Sequence, residues 1–323
     1  MKPIGGYFEW EFPSNDGSFL HSDGVLLNSG RHSLEYILKS IGQIKHLWLP
    51  YYTCDVLIQP IERLEISYSF YHINKDFTMV DSFVLGENEY LIYTNYFGIM
   101  DAYCKELSIL YGSHLILDNA QAFYAPRIEG INSFYSPRKY VGIPDGGIAY
   151  VNKTLDAELQ NDLSYDRCTH LLKRHDLMPI DGYKDFKESS YQIATSPLSK
   201  MSTLTQRILA SLDYEKIKEI RISNFSFLHT HLKKINDLVL PSADTFICPM
   251  VYPFHTKDDN LRKRLIEQQV FVAVYWPNVL NWVNSDAVEY ELSSQILALP
   301  IDQRYNVREM QAIIDIINRN GYE

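Results

Sequence analysis

Basic side chains are scarce in this 323-residue sequence, which has 30 lysines and arginines against 40 aspartates and glutamates and a formal net charge of −10 at pH 7. Proteins that bind nucleic acid or anionic membrane surfaces through electrostatics need basic patches. We therefore expect neither nucleic acid nor a membrane as a partner. A small molecule is the expected ligand.

Long apolar runs and closely spaced cysteines are also missing. No run approaches the roughly 18 residues needed to cross a bilayer, and residues 1 to 6 contain no apolar segment like that of a signal peptide. Cys54, Cys104, Cys168 and Cys248 lie too far apart for a Cys-x-x-Cys metal or redox site and suggest no disulfide framework. We expect a cytoplasmic protein without a structural metal.

From residue 29 onward, helix-like and strand-like stretches alternate. Leu34, Ile37, Leu38 and Ile41 follow the i, i+3, i+4, i+7 spacing of an amphipathic helix. Further helices are predicted at 53 to 64 and 102 to 111, and short apolar runs predict strands at 46–49, 66–73, 91–94, 115–117, 132–135 and 148–151. This alternation is typical of an α/β fold with a mostly parallel sheet flanked by helices.

The chain is longer than a typical single domain, and its middle is the least patterned part. Residues 152 to 196 are polar, aromatic and weakly periodic, which predicts a long irregular connection. We therefore predict a large α/β domain over residues 1 to 200 and a smaller α+β domain over 201 to 323. The smaller domain is predicted to hold strands at 245–254, 270–275 and 295–299, a helix at 259–268 and a final helix with Asn306 and Glu309 in a capping box.

Asp118 is the first candidate for chemistry. It follows the apolar run 115 to 117, and open α/β sheets bind ligands at the carboxyl ends of their strands. A carboxylate there can keep a pyridinium nitrogen protonated, which makes pyridoxal phosphate an electron sink. The alternative is a turn-forming or helix-capping aspartate.

Lys139 is the second candidate, since it lies between a predicted strand and the glycine pair at 146 and 147. A catalytic lysine must be desolvated or lie near other cations, and Arg138 is adjacent in sequence. The alternative is an ordinary solvated lysine. The turn at 28 to 33 opens a helix whose free N–H groups can bind a phosphate, although many helices begin this way. Residues 95 to 98 either line the same site or form a buried aromatic cluster.

Taken in this order, the segments resemble the DegT/StrS-type sugar aminotransferases, which are pyridoxal-phosphate enzymes of the aspartate aminotransferase fold. The similar segments are the phosphate turn 29–34, the Pro-x-x-Thr loop 50–53, Tyr96-Phe97-Gly98, Asp118-Asn119-Ala120-Gln121-Ala122, Pro137-Arg138-Lys139, and Asp145-Gly146-Gly147. The resemblance implies that Lys139 forms the Schiff base with the cofactor and that Asp118 binds its ring nitrogen. The cofactor-binding set that we expect is Gly30, Arg31, Tyr96, Asp118, Gln121, Ser136, Arg138 and Lys139.

The chain departs from the family pattern at four places. Arg31 replaces a threonine of the phosphate turn, Cys54 a ring-stacking aromatic residue, and Phe134 a phosphate-binding serine. Residues 198 to 201 replace an Asn-x-Arg-Met segment whose asparagine reaches the phosphate in the partner subunit. Ser136 is predicted to take over from the lost serine because it lies on the same strand face, and guanidinium groups at Arg31 and Arg138 suit a phosphate.

The resemblance implies that a homodimer transfers an amino group from glutamate to a nucleotide-linked keto-sugar in surface polysaccharide or related sugar biosynthesis. One alternative keeps the cofactor but changes the outcome, as in related sugar dehydratases; these have a histidine where Lys139 stands, which argues against it. A second alternative is a catalytically inactive protein of the same fold with a binding or structural role, which the four departures favour.

Overall fold

The computed structural model describes residues 4 to 13 and 17 to 319, so the first three residues of the stretch 1 to 6 lie outside the described part. Its centre is a seven-stranded sheet made of β1 (Val25–Leu27), β2 (His46–Pro50), β3 (Tyr68–Tyr71), β4 (Glu89–Thr94), β5 (Leu115–Asn119), β6 (Asn132–Tyr135) and β7 (Gly147–Tyr150). The strand order is β1-β7-β6-β5-β4-β2-β3. β7 is antiparallel to β6 and β1, and the other paired strands are parallel. The expected mostly parallel α/β sheet is confirmed.

Both faces of the sheet are covered. Helices α1 (Gly30–Ile41) and α2 (Ile58–Arg63) pack on one face and α3 (Asp101–Tyr111) packs on the other. Successive strand residues point to opposite faces, so Ile92 and Ile116 belong to the α1 side while Leu91, Leu115 and Leu117 belong to the α3 side. A sheet buried on both faces explains why its strands are almost continuously apolar.

The second half of the chain is mainly helical. It contains α4 (Thr169–Asp176), α5 (Tyr183–Thr195), α6 (Thr203–Ala210), α7 (Tyr214–Leu232), α8 (Leu261–Glu267), α9 (Val288–Gln295), α10 (Val307–Asn318) and an antiparallel pair of strands, β8 (Tyr252–His255) and β9 (Ile296–Leu299). α10 packs on α7 and α8. One cluster of buried apolar side chains includes residues from the large sheet and from this half, and the division into two domains at residue 200 stays a prediction.

Three predicted elements differ from the structure. Residues 152 to 196 are not wholly irregular, because they contain α4 and α5. In place of the strand predicted at 245–254, the structure has only the shorter β8. Pro249 precedes β8, and the loop before β8 forms its hydrogen bonds with other parts of the chain. The segment 270–275 forms only an isolated bridge from Ala273 to Ala298. β1, with only three residues, was not predicted.

Within the described residues, none of the helices combines the length and apolar character that crossing a membrane requires. All four cysteines are free thiols.

Candidate functional site

Asp118 lies at the carboxyl end of β5, as predicted, and is 5% exposed. Its Oδ1 accepts a hydrogen bond from the Ala120 N–H at 2.8 Å, and its Oδ2 accepts a longer one from the Thr94 hydroxyl at 3.4 Å. Burial raises the pKa of Asp118, and the positive charge of Lys139 opposes that rise. The bond to Ala120 is the turn-forming role that the sequence left as an alternative for Asp118. The Oδ2 atom, which has only the longer hydrogen bond, is available for a ligand.

Lys139 ends a 3-10 turn (Pro137–Lys139) that directly follows β6 and Ser136. Its side chain is exposed, and its Nζ lies 5.9 Å from the centroid of the Tyr275 ring. Its charge lowers the pKa of Cys54 as well as that of Asp118, although burial keeps the Cys54 pKa raised overall. The ammonium group therefore lies in one site with Asp118 and Cys54.

The turn before α1 packs against the segments around Lys139. Ser29 caps the helix by accepting a hydrogen bond from the His32 N–H at 3.2 Å. A Cβ on Gly30 would lie 3.2 Å from the Ser136 Cβ, and a Cβ on Gly147 would lie 2.2 Å from the Ser29 carbonyl oxygen. The glycines at these two positions are what allow the turn, Ser136 and the glycine pair to come together.

Several polar atoms around these residues are buried without a hydrogen-bond partner. They are Nε and Nη1 of Arg31, Oγ1 of Thr53 and Nε2 of Gln121. The Gln121 Oε1 is engaged, since it accepts the Phe97 N–H at 2.8 Å. Burial lowers the pKa of Arg31, and the charge of Cys54 partly opposes this, so Arg31 extends toward the loop that carries Thr53.

These unpartnered groups suit the polar parts of pyridoxal phosphate. A guanidinium and a hydroxyl are suitable donors for a phosphate, an amide N–H is a suitable donor for a ring hydroxyl, and a carboxylate suits a protonated ring nitrogen. A buried donor without a partner destabilises the fold, so a ligand that engages these atoms removes that penalty. On these grounds the residues fit the cofactor.

Arg138 and Tyr96, also predicted to bind the cofactor, have different surroundings. Burial lowers the pKa of Arg138 to about 10; Asp145 opposes this shift and Arg167 and Arg31 add to it. Tyr96 is fully buried, and its hydroxyl donates to the Tyr52 carbonyl at 3.0 Å. Tyr96 thus belongs to a core aromatic cluster, which is the alternative that the sequence left open for this segment.

Residues 198 to 201, which replace the family's Asn-x-Arg-Met segment, bind to their own chain. The Asn28 N–H donates to the Ser199 carbonyl at 3.0 Å, the Ser199 N–H donates to the Asn28 Oδ1 at 3.3 Å, and Leu27 pairs with Lys200. Through these hydrogen bonds, this segment supports the phosphate turn of the same chain.

Three residues near the site were not predicted. Thr94 bonds to Asp118 and lies beside it in the β4–β5 register. Thr53 and Tyr275 are the other two. Thr53 belongs to the Pro-x-x-Thr loop that the sequence had singled out, and Tyr275 ends the segment 270–275 that was predicted as a strand. Only the pairing of β4 with β5, which sequence periodicity does not give, identifies Thr94.

No protein-family model and no curated protein matches the chain. Solved structures do match it. A DegT DnrJ EryC1 StrS aminotransferase from Brucella abortus is 16% identical, with 93% of this chain and 86% of that chain covered and a TM-score of 0.63. A sugar aminotransferase from Streptococcus pneumoniae in its PLP form is 14% identical, with 92% and 87% covered and a TM-score of 0.62. DesI, solved with its TDP-sugar product, is 14% identical, with 91% and 79% covered and a TM-score of 0.61. The chain therefore shares the fold of these sugar aminotransferases.

Proposed function

We propose that this chain is a pyridoxal-phosphate-dependent aminotransferase that transfers an amino group from glutamate to a nucleotide-linked keto-sugar. The observation that carries the proposal is that Asp118 ends β5 and Lys139 follows β6, the parallel strand beside it, with the Lys139 Nζ 5.9 Å from the Tyr275 ring. The fold shared with sugar aminotransferases, one of them solved with a TDP-sugar product, supports the substrate class.

When bound, pyridoxal phosphate supplies an electron sink for a developing carbanion. Asp118 keeps the ring nitrogen protonated, because a buried carboxylate pairs with a cation better than with water. The Lys139 amine is exposed and has no ion-pair partner among the described residues. It would hold the cofactor covalently and, once the amino donor displaces it, would serve as the acid-base group that takes up and returns the proton.

The other residues of the site bind and orient the cofactor. Arg31 and Thr53 direct their unpartnered donors to the phosphate, with Ser136 and the N–H of Gly30 beside them. The free amide of Gln121 donates to the ring hydroxyl. In this arrangement Arg31 replaces both the lost threonine and the lost asparagine of a partner subunit.

A homodimer and a cytoplasmic location belong to the same proposal. Large apolar side chains are exposed between residues 163 and 191, among them Leu163, Tyr165, Ile180 and Tyr191, and this apolar surface is available to a partner subunit. The four free thiols agree with a reducing compartment. A role in surface polysaccharide or related sugar biosynthesis follows from the proposed acceptor.

Spectroscopy and peptide mapping test the cofactor. We expect the purified protein to be yellow with pyridoxal phosphate and to lose the visible band on borohydride treatment, with the reduced cofactor covalently attached to Lys139. Lys139→Ala should remove the attachment, whereas Lys263→Ala, which changes an exposed lysine on α8, should leave it unchanged. A colourless wild-type protein, or attachment at another lysine, contradicts the proposal.

Amino donors test the reaction. Adding glutamate to the yellow protein should convert its spectrum to that of the amine form of the cofactor, and a nucleotide-linked keto-sugar should reverse the change. A panel of such sugars with different nucleotides identifies the acceptor. If the yellow protein responds to none of a panel of amino donors, the aminotransferase assignment is wrong.

One observation favours the second candidate, a catalytically inactive protein of this fold. Phe134, which replaces the family's phosphate-binding serine, pairs in register with Asp118 in the β5–β6 ladder and is 1% exposed. A large apolar side chain beside the ring-nitrogen ligand reduces the polar surface that the phosphate needs. Under this candidate the protein stays colourless with added cofactor, while its fold is intact by circular dichroism.

A further inference from the structure

Tyr275 belongs to the second half of the chain, but it lies among residues of the candidate cofactor site. The Lys139 Nζ lies 5.9 Å from the centroid of its ring, and the Phe97 ring lies edge-on to it at 5.9 Å. Lys139 follows β6 and Phe97 follows β4, so both are at the carboxyl edge of the large sheet, where Asp118 ends β5. The segment that carries Tyr275 therefore covers this edge of the sheet.

The residues that follow Tyr275 attach it to the Pro-x-x-Thr loop. The Asn278 Nδ2 donates a hydrogen bond to the Thr53 carbonyl at 2.9 Å. The ring of Trp276 packs edge-on against the ring of Tyr52 at 5.1 Å. Because these two contacts hold the chain on the C-terminal side of Tyr275, its ring has a fixed position beside the loop that follows β2.

Tyr275 is also next to two of the buried groups that lack a hydrogen-bond partner among the described residues. Phe97, whose ring contacts Tyr275, donates its N–H to the Gln121 Oε1 at 2.8 Å, and the Gln121 Nε2 is left unpartnered. Thr53, which belongs to the attached loop, has an unpartnered Oγ1. A ligand that engages both of these groups and the Lys139 amine therefore brings its own ring to the side chain of Tyr275.

Part of the Tyr275 ring is uncovered, unlike the aromatic rings packed beside it. Tyr275 is half-buried, whereas Tyr52, Phe97 and Trp276 are buried. Burial, helped by the charge of Cys54, raises the pKa of the Tyr275 hydroxyl to about 12, so the side chain is uncharged at neutral pH. An uncharged aromatic ring with a free face is suited to a flat aromatic ligand.

The small side chain at residue 54 leaves room for this ring. Cys54 is half-buried, and its Sγ donates to the Asp55 Oδ1 at 3.6 Å. Burial raises the pKa of its thiol and the charge of Lys139 opposes this rise, so the thiol faces the site. A large aromatic side chain at residue 54 would compete with Tyr275 for the same space.

We propose that Tyr275 packs its aromatic ring against the ring of bound pyridoxal phosphate, in place of an aromatic side chain at residue 54. This inference rests on the proposed function, because it concerns the same cofactor. A contact between two aromatic rings stabilises a complex beyond the area that it buries. The second half of the chain thus supplies a cofactor contact that the residues of the large sheet do not provide.

Titration of the cofactor-free protein with pyridoxal phosphate, followed by fluorescence, tests the contact. Tyr275→Ala should weaken binding by roughly tenfold or more because the ring contact is lost, whereas Tyr275→Phe should bind like the wild type. The control is Phe271→Ala, which removes a 54% exposed aromatic residue from the same segment and should leave the affinity unchanged. Wild-type affinity in Tyr275→Ala, or equal losses in Tyr275→Ala and Tyr275→Phe, would overturn the inference.

A double variant separates the ring contact from a general loss of packing. In the Tyr275→Ala background, Cys54→Phe puts an aromatic ring back into the site and should recover most of the lost affinity. In the wild-type background the same change should not improve binding, because two rings then compete for one place. If Cys54→Phe changes the affinity by the same factor in both backgrounds, the two positions are independent and the inference is wrong. The melting temperature of each cofactor-free variant shows whether its fold is intact.

The failure of this proposal can be distinguished from the failure of the proposed function. If the wild type attaches the cofactor to Lys139 and Tyr275→Ala binds it equally well, the aminotransferase assignment stands and the role of Tyr275 is wrong. If the wild-type protein takes up no cofactor, both are wrong.

Discussion

At Asp118 the stability of the cofactor-free fold conflicts with the proposed chemistry. Burial raises the pKa of this carboxyl group above its ordinary value of 3.8. The folded chain therefore holds the proton of Asp118 more tightly than the unfolded chain, and stability is lost as the pH rises from 3.8 through the raised pKa. The ionised form that the pyridinium needs is the form that the empty fold disfavours.

Asp118→Asn should therefore stabilise the cofactor-free protein and abolish its response to glutamate. The amide oxygen can still accept the Ala120 N–H, so the turn survives. The free energy of unfolding should rise by about 1 kcal/mol at pH 8 and by much less near pH 3, below the ordinary pKa of 3.8, where both states hold the proton. Urea denaturation at both pH values measures this, with the exposed Asp81→Asn as a control that should change neither. A gain that is equal at the two pH values contradicts the electrostatic explanation.

Arg31 has a guanidinium group whose buried Nε and Nη1 have no partner. Arg31→Ala should weaken pyridoxal phosphate binding by roughly tenfold to a hundredfold, because a charge-assisted hydrogen bond to the phosphate is lost. The melting temperature of the cofactor-free protein should not fall, since no internal bond is broken. Fluorescence titration with the cofactor measures the affinity.

Two comparisons make the Arg31 result specific. Arg31→Lys keeps the charge without the fork and should recover part of the affinity. Arg138→Ala should weaken cofactor binding less than Arg31→Ala, because Arg31 and not Arg138 has buried side-chain donors without a partner. If both Arg31→Ala and Arg138→Ala bind the cofactor with wild-type affinity, neither arginine binds the phosphate.

At the scale of elements, the contact between β7 and the turn before α1 depends on one missing side chain. A Cβ on Gly147 would lie 2.2 Å from the Ser29 carbonyl carbon and oxygen and 2.6 Å from the Gly30 nitrogen. Backbone atoms cannot yield as the end of a flexible side chain can, so the turn must move. The phosphate turn and the start of β7 can therefore lie in contact only because residue 147 has no Cβ.

Gly147→Ala should destabilise the fold by about 3 kcal/mol, since overpacking against backbone is at the severe end of such effects. Gly142→Ala is a matched control in the same region, because its added Cβ meets only the Leu171 Cδ2 at 3.5 Å, an ordinary contact. Chemical denaturation of both variants measures the difference. Equal stability of the two would show that the turn can shift without loss.

The sequence predicted most elements of the sheet because their apolar runs are buried on both faces. The strand predicted at 132 to 135 matches β6, and the capped final helix matches α10, with the Glu309 carboxylate accepting the Asn306 N–H at 2.8 Å. Asp118 lies at the carboxyl end of β5 and Lys139 follows β6, so parallel pairing of these strands puts both residues at the same edge of the sheet. Their roles toward the cofactor stay predictions.

The missed elements lack the signals that periodicity detects. None of the residues of α4 is buried, and α5 buries only Ser189 and Ile193, so neither helix has the run of buried apolar residues that identified the others. Aromatic residues of this segment, such as Tyr183 and Tyr191, are exposed instead. Tyr96 was placed in the site because a motif shows which residue follows a strand but not which way its side chain points.

At the scale of the whole molecule, Arg221 is one of the residues that join the two halves of the chain. This residue of α7 is 1% exposed. Its guanidinium donates to the Tyr140 carbonyl at 3.0 Å, the Met250 carbonyl at 2.9 Å and the Gln303 Oε1 at 3.1 Å, and it lies 4.5 Å from the centroid of the Tyr140 ring. Because Tyr140 follows Lys139, the second half of the chain supports the backbone of the proposed catalytic lysine.

Arg221→Met should therefore affect both stability and the cofactor site. Methionine fills similar space but leaves the buried Met250 carbonyl without a donor, while the Gln303 Nε2 still donates to the Tyr140 carbonyl at 2.9 Å. We expect a loss of about 2 kcal/mol in the free energy of unfolding. Arg308→Met, which changes an exposed arginine on α10, should stay within about 0.5 kcal/mol of the wild type. If the halves are coupled as described, borohydride attachment of the cofactor to Lys139 falls in Arg221→Met under conditions where the variant is still folded. Loss of stability with undiminished attachment would mean that Arg221 holds the two halves together without positioning the lysine.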